Sequence, residues 1–265
     1  MKIKNIALVG NPNCGKTSLF NTLTGTRQKV ANYAGVTVER KEGSFKLPSG
    51  DAIRVLDLPG TYSLKPSSLD EEVTRAVCLG ELKGEILPDI FICVVDATNL
   101  SLHLSLVLEV RALNRPMILV LNMMDEVKKR GISIDKDKLS QLLGIPVVEA
   151  VAVKTKGIQD LINQLDQKNL FITPYHSELS HFEQVKQITK QVILNNDNGD
   201  KRTAFLDKIF LHPVLGLVIL TLTMFVMFQA VFIWATPFIE FIENFVAWLS
   251  DFIGPLIQHP LLKSL

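Results

Sequence analysis

Apolar residues fall in two rhythms over the first 170 positions. Short apolar runs bounded by turn residues lie at 4–9, 53–58, 89–96, 116–122 and 146–151. Runs of that length between turn signals predict buried strands. Between them the spacing becomes helical, at 18–23, 101–113, 135–143 and 157–165, with Gly144 placed to cap the third of these. Strands alternating with helices predict an α/β fold with a mostly parallel sheet and helices on both faces. In such sheets ligands bind at the carboxyl ends of the strands.

Past residue 170 the pattern changes twice. Pro174 sits in a polar stretch, and 177–194 then reads as a helix, followed by the turn 195–200 and a further helix at 202–211. Phe182, Val185, Ile188, Val192 and Ile193 recur at helical spacing, so 171–211 is expected to be a packed helical connector. From 213 to 239 there is no charged residue. A membrane span needs about 20 apolar residues, and core helices are rarely apolar on every face. A transmembrane helix is therefore expected over 212–239, with Trp234 at an interface. Phe238, Phe241, Ile242, Phe245 and Trp248 then alternate with Glu240, Glu243 and Asp251. That predicts an amphipathic segment over 240–265, read as part of a longer, truncated membrane domain.

Composition refines this outline. Hydrophobic residues make up 47% of the chain and mean hydropathy is +0.24, an excess concentrated in the uncharged stretch. Lys201, Arg202 and Lys208 precede that stretch and acidic residues follow it, which places the first ~210 residues in the cytoplasm. The charged start followed by a strand does not read as a signal peptide. A net charge of +1 indicates no general attraction to nucleic acid. Cys14, Cys78 and Cys93 suit a reducing compartment, and no Cys/His spacing suggests zinc.

The chemistry starts at residue 10. Gly10, Asn11, Pro12, Asn13, Cys14, Gly15, Lys16 and Thr17 spell the phosphate loop G-x-x-x-x-G-K-[ST], set between a strand and a helix that opens at Ser18. Backbone N–H groups of such a loop converge on phosphates at a helix N-terminus. Lys16 would reach the β- and γ-phosphates, and Thr17 would ligate Mg²⁺. Asp57, Leu58, Pro59 and Gly60 end a later strand, where a carboxylate approaches Mg²⁺ and the Gly60 N–H meets the γ-phosphate. Thr37, after Gly35 and Val36 in an irregular stretch, could complete the Mg²⁺ shell. Asn122, Met123, Met124 and Asp125 match the spacing of the guanine-reading Asn-Lys-x-Asp motif, with Met123 in place of Lys. Asp125 would accept from the guanine N1–H and exocyclic amine, an arrangement adenine does not offer. Ala152, Val153 and Lys154 stand where such proteins place a last base-contacting loop, here with backbone contact only. Thr61 follows Gly60, in place of a water-orienting Gln.

These motifs, with residues 32–43, 57–64 and 212–216, resemble the ferrous-iron transport protein B family over nearly the whole chain. The resemblance implies a GTPase with bound GTP or GDP, a connector that affects GDP release, and a membrane part that moves Fe²⁺ across the bacterial inner membrane. It further implies that Asn11 helps hold K⁺, giving Asn11, Lys16, Thr37 and Gly60 catalytic roles. The bilayer, small accessory transport proteins and further copies of the chain are the implied partners. Cys14 replaces a Ser common in relatives, and in similar loops that side chain faces away from the phosphates. The uncharged stretch offers no Cys, His, Asp or Glu as a metal relay, so iron rests on the resemblance. A membrane-anchored regulatory GTPase switch is the alternative.

Overall fold

In a computed structural model, residues 3–25, 28–33, 36–151, 158–167, 175, 179–195, 206 and 208–253 are described. The chain divides into two compact units, 1–199 and 200–265. The connector read at 171–211 is thereby split between them.

The first unit is built on strands whose two faces are both apolar. In Ile90–Asp96, the residues Ile90, Ile92 and Val94 enter one core cluster while Phe91, Cys93 and Val95 enter the other. Burial on both faces is what a parallel strand between two helical layers requires. In chain order the strands of this sheet are β1 (Asn5–Val9), β2 (Gln28–Asn32), β3 (Glu39–Lys46), β4 (Ala52–Asp57), β5 (Ile90–Asp96), β6 (Met117–Asn122) and β8 (Val147–Glu149). They lie in the spatial order β2-β3-β4-β1-β5-β6-β8. The run from β4 to β8 is parallel, and β2 and β3 are antiparallel additions at one edge. The mostly parallel α/β expectation holds. The hairpin formed by β2 and β3 is the departure: the stretch read as irregular ahead of Thr37 contains a strand. β2 is exposed along its whole length, so no apolar alternation marked it.

Helices α1 (Lys16–Thr24), α2 (Leu69–Leu79), α3 (Leu100–Ala112), α4 (Met124–Lys129), α5 (Lys136–Leu143) and α6 (Gln159–Asp166) complete this layering. Local signals start and stop them. Ser68 caps α2 by accepting from the Glu71 N–H, Asp135 caps α5 through the Lys138 N–H, and Gly144 ends α5 at φ 63°.

The predicted helix over 177–194 is shorter than expected. It is α7 (His181–Val192), opened by a capping box between Ser180 and Glu183. Its C-terminal residues turn into β9 (Ile193–Asn195), which pairs antiparallel with β7 (Ser133–Ile134), and the Asp135 N–H donates to Val192 O at 2.9 Å. Ile188 and Val192 join the core cluster against α3 and α5, while Phe182 stays exposed. This part of the connector is therefore packed on the nucleotide unit.

The second unit is dominated by α8 (Leu215–Ile253), 39 residues long and apolar. None of its candidate span, Leu215–Phe252, is buried inside the protein. The boundary expected at 239/240 is absent: the helix runs through Pro237 with no glycine or cap to stop it. At 1.5 Å per residue it is roughly 58 Å long, against about 30 Å of hydrocarbon. Thr221, Thr223 and Thr236 each donate to the carbonyl four residues back, so their hydroxyls are satisfied within the helix.

Candidate functional site

The phosphate loop joins β1 to α1, and its geometry follows from two glycines that admit no side chain. Gly15 has φ 92°, and a Cβ there would fall 2.1 Å from Asn122 Nδ2. That amide donates to Cys14 O at 2.9 Å. Gly60 lies against the loop from the other side, where a Cβ would meet Pro12 at 3.0 Å. The end of β4 is fastened to β1: Leu58 N donates to Leu8 O and Thr61 N to Gly10 O. Pro59 O accepts from Thr74 Oγ1 of α2 at 2.9 Å. Backbone bonds thus tie the end of β4 to β1 and the loop, and the Asn122 side-chain amide ties the end of β6 to the loop.

Three functional side chains meet in that frame. Lys16 is buried and its Nζ donates to Gly10 O at 2.8 Å and Asn11 O at 2.9 Å, across the mouth of the loop. Thr17 Oγ1 donates to Asp57 Oδ2 at 3.2 Å. Asp57 Oδ1 is buried with no partner among the described residues. Burial pushes the Asp57 carboxyl up from its usual range, against the opposing pull of the Lys16 charge and the Thr17 hydrogen bond. Asn11 is 1% exposed, and neither Oδ1 nor Nδ2 has a partner among the described residues. A buried amide with both ends unmet points to a ligand. Lys16, Thr17 and Asp57 open on a cleft of about 420 Å³ that also takes in Pro12, Asn13 and Gly60, while Asn11 lies behind that lining.

Other expected residues stand differently. Cys14 is fully buried in the core cluster beneath the loop, as expected for a side chain turned from the phosphates, and burial raises its thiol pKa. Ser18 is exposed on α1. Thr37 is exposed and absent from the cleft lining, so it is not brought to Thr17 and Asp57. The reason is local: Tyr33 N donates to Val38 O and Val36 N to Tyr33 O, closing a tight loop whose buried anchors are Tyr33 and Val38. Met123, half-buried at φ 61°, is the N-cap of α4, and Asp125 is half-buried in that helix's first turn. Asp125 is therefore not a capping residue. Gly35, Ala152, Val153 and Lys154 lie outside the described residues.

Thr61 is buried, and its hydroxyl contacts Ser63 O and Glu71 Oε1. Arg40 is engaged by Glu42 and Glu85, in a network with Arg54. Sequence reading missed Glu39, Lys41 and Asp70 on the cleft wall. Lys41 faces Asp57 across the β3–β4 ladder and pairs with Glu39 at 3.1 Å. Only the strand register reveals that neighbourhood.

A phosphate loop at the end of the central strand, with the carboxylate of the adjacent strand and the amide of β6 closing on it, defines a phosphate-loop GTPase domain. The comparisons carry this to a family. The family model for ferrous iron transport protein B matches residues 4–165, and the chain belongs to that family. It is 46% identical over 188 residues to the Fe(2+) transporter FeoB of Salmonella typhimurium, covering 69% of this chain and 23% of that protein. The match to the Fe(2+) transporter FeoB of Leptospira biflexa is 32% over 342 aligned positions, covering 100% of this chain and 49% of that protein. The matches thus span 23% and 49% of these relatives' own lengths. Among solved structures, the cytosolic domain of the T. maritima FeoB iron transporter in its GMPPNP form superposes with a TM-score of 0.62 at 34% identity, over 73% of this chain and all of that one.

Proposed function

We propose that this chain is the GTP-hydrolysing, cytoplasmic amino-terminal part of a bacterial inner-membrane transporter whose cargo is Fe²⁺. The observation that carries the reading is the Lys16–Thr17–Asp57 group: a buried ammonium, a hydroxyl and a carboxylate with one unmet oxygen, on one wall of one cleft. The FeoB relatives supply the iron, and α8 supplies a segment able to lie in the bilayer.

The donor set fits Mg²⁺. Thr17 and Asp57 offer hard oxygens already within hydrogen-bond distance of each other, and the open Asp57 oxygen faces no competing donor among the described residues. When bound, Mg²⁺ offsets charge on the β- and γ-phosphates. Thr37 would join this set by reordering of the 33–38 loop. Lys16 would exchange its two carbonyl partners for the β- and γ-phosphate oxygens. The Gly60 N–H would donate to the γ-phosphate, held in place by Pro12 behind it. The unmet Asn11 amide oxygen fits K⁺, whose charge would add to that of Lys16. Asp125 would accept from guanine, with backbone support from Ala152, Val153 and Lys154. The connector, packed on α3 and α5 through α7, would influence GDP release. Small accessory transport proteins and other copies of the chain are the expected partners of the complete transporter.

Steady-state GTP hydrolysis by the 265-residue chain in lipid nanodiscs tests this. Turnover requires Mg²⁺ and is lost on chelation. Lys16→Ala removes the cation from the γ-phosphate side and lowers kcat/KM at least about a hundredfold. Wild-type turnover in that variant would overturn the reading.

A further inference from the structure

The loop after Gly60 has an anchor that the nucleotide does not supply. Ser63 Oγ lies 3.0 and 2.9 Å from the two carboxylate oxygens of Glu109 and donates to that group. The Leu64 N–H donates to the same carboxylate. Ser63 Oγ also accepts from the Lys65 N–H at 3.0 Å. One half-buried carboxylate on α3 thus gathers a serine hydroxyl and a backbone amide from a segment 46 residues away. Hydrogen bonds to an ionised acceptor are the stronger kind.

The anchor is rigid. Leu104, Leu106, Leu108 and Val110 on α3 are all buried. Two residues beyond Glu109, the buried Arg111 donates through Nε to Leu143 O at 3.0 Å, and its guanidinium lies 5.2 Å from the Tyr175 ring centroid. On the other side, Thr61 N is bonded to Gly10 O of the phosphate loop. Along the chain from Gly60, the segment is thus tied first to the phosphate loop at Thr61 and then to α3 at Ser63 and Leu64.

We propose that Glu109 is a positioning residue that latches the 61–65 loop to α3 and so holds the Gly60 N–H at its station in the cleft. This rests on the hydrolysis reading above. The latch acts where a γ-phosphate would lie, at the Gly60 wall, and leaves the Lys16 and Asn122 contacts alone. Its loss therefore weakens turnover and spares GDP binding. A loop displaced by an ångström or so costs rate far more than ground-state affinity.

The test uses the full chain in nanodiscs, with Glu109→Ala and Glu109→Gln compared with wild type. Four quantities are read: kcat, KM for GTP, affinity for a fluorescent GDP, and amide hydrogen exchange over 61–67. Glu109→Ala should lower kcat about tenfold, leave GDP affinity within about twofold, and speed exchange over 61–67 selectively. Glu109→Gln keeps one acceptor oxygen and should recover part of both losses. Ser63→Ala should lower kcat by less and add little on top of Glu109→Ala, since the two share one contact. Equal losses in kcat and GDP affinity, or unchanged exchange over 61–67 in Glu109→Ala, would overturn the latch. Should wild type hydrolyse no GTP, the proposed function fails, while the exchange measurement still decides the latch.

Discussion

The two ends of the nucleotide site are built to different tolerances. At the phosphate end Lys16 and Thr17 stand in the first turn of α1, Asp57 ends β4, and Asn11 lies in the short loop between β1 and α1. Lys16, Asp57 and Asn11 are each at most 7% exposed, and backbone bonds tie the end of β4 to β1 and to the phosphate loop. At the base end the residue proposed to read guanine is a half-buried carboxylate on α4, six residues long and entered through a residue at positive φ. Asn122, buried at the end of β6, donates toward the phosphate loop. Charge on phosphates needs donors fixed in advance, since reorganising them during reaction would cost rate. Base choice needs only a difference in affinity, which one carboxylate can provide.

The sharpest way to break this contrast is to change the base end alone. Asp125→Asn replaces an acceptor oxygen with a donor amide. Xanthine has a carbonyl where guanine has its exocyclic amine, so the variant should favour xanthosine triphosphate. GTP affinity should fall at least about tenfold, the cost of leaving buried polar groups mispaired. Competition binding with both nucleotides reads this directly. Equal losses for the two would mean that Asp125 supports α4 and that the base is read elsewhere.

The next test is confined to the phosphate end. Asn11 is the loop residue whose amide oxygen and nitrogen are both buried with no partner among the described residues. If its amide oxygen holds K⁺, wild-type hydrolysis in KCl should exceed that in NaCl several-fold, and Asn11→Ala should equalise the two, losing on the order of 1–2 kcal/mol of transition-state stabilisation. Matching rates in both salts for wild type would leave Asn11 as a structural residue of the loop.

How far the site could be read in advance follows the same division. The phosphate loop, Asp57 and Asn122 stand at the ends of apolar runs, so period and motif located them together. The layering of the sheet was legible because both faces of β5 and β6 are apolar. The β2–β3 hairpin was not, because a polar edge strand carries no alternation. Thr37 was named from its place in the chain, but its position depends on the Tyr33–Val38 pairing, a contact that no spacing predicts. Lys41 and Glu109 reach their neighbours through strand register and helix packing over long separations, which a linear pattern does not contain. The uncharged stretch and the amphipathic segment after it both read as helical, and they run on as the single helix α8, with Glu240 and Glu243 exposed on it.

The smallest expected effect concerns what the phosphate end costs the empty protein. Asp57 is buried with one oxygen unmet, and its folded pKa is raised above the unfolded value. A raised carboxyl favours the protonated form in the folded state. Its contribution to stability is therefore fully present below the unfolded pKa of about 3.9 and is lost as pH rises through the folded value. At neutral pH without nucleotide, Asp57 is thus a net cost, one that the proposed Mg²⁺ site would offset by binding the ionised form. Asp57→Asn keeps the acceptor for Thr17 Oγ1 and removes the charge. The nucleotide-free variant should be more stable than wild type at pH 7.5 by about 1 kcal/mol, or roughly 2–4 °C in Tm for a unit of this size. The gap should narrow as pH is lowered through the raised folded value, because wild-type Asp57 then becomes neutral too. Adding Mg²⁺ and a non-hydrolysable GTP analogue should reverse its sign, since only wild type then has the carboxylate the cation requires. Thermal unfolding of both proteins across that pH range gives the answer. A wild type more stable than Asp57→Asn at pH 7.5 without nucleotide would mean that the Lys16 charge outweighs burial and that the phosphate end is already balanced before any ligand arrives.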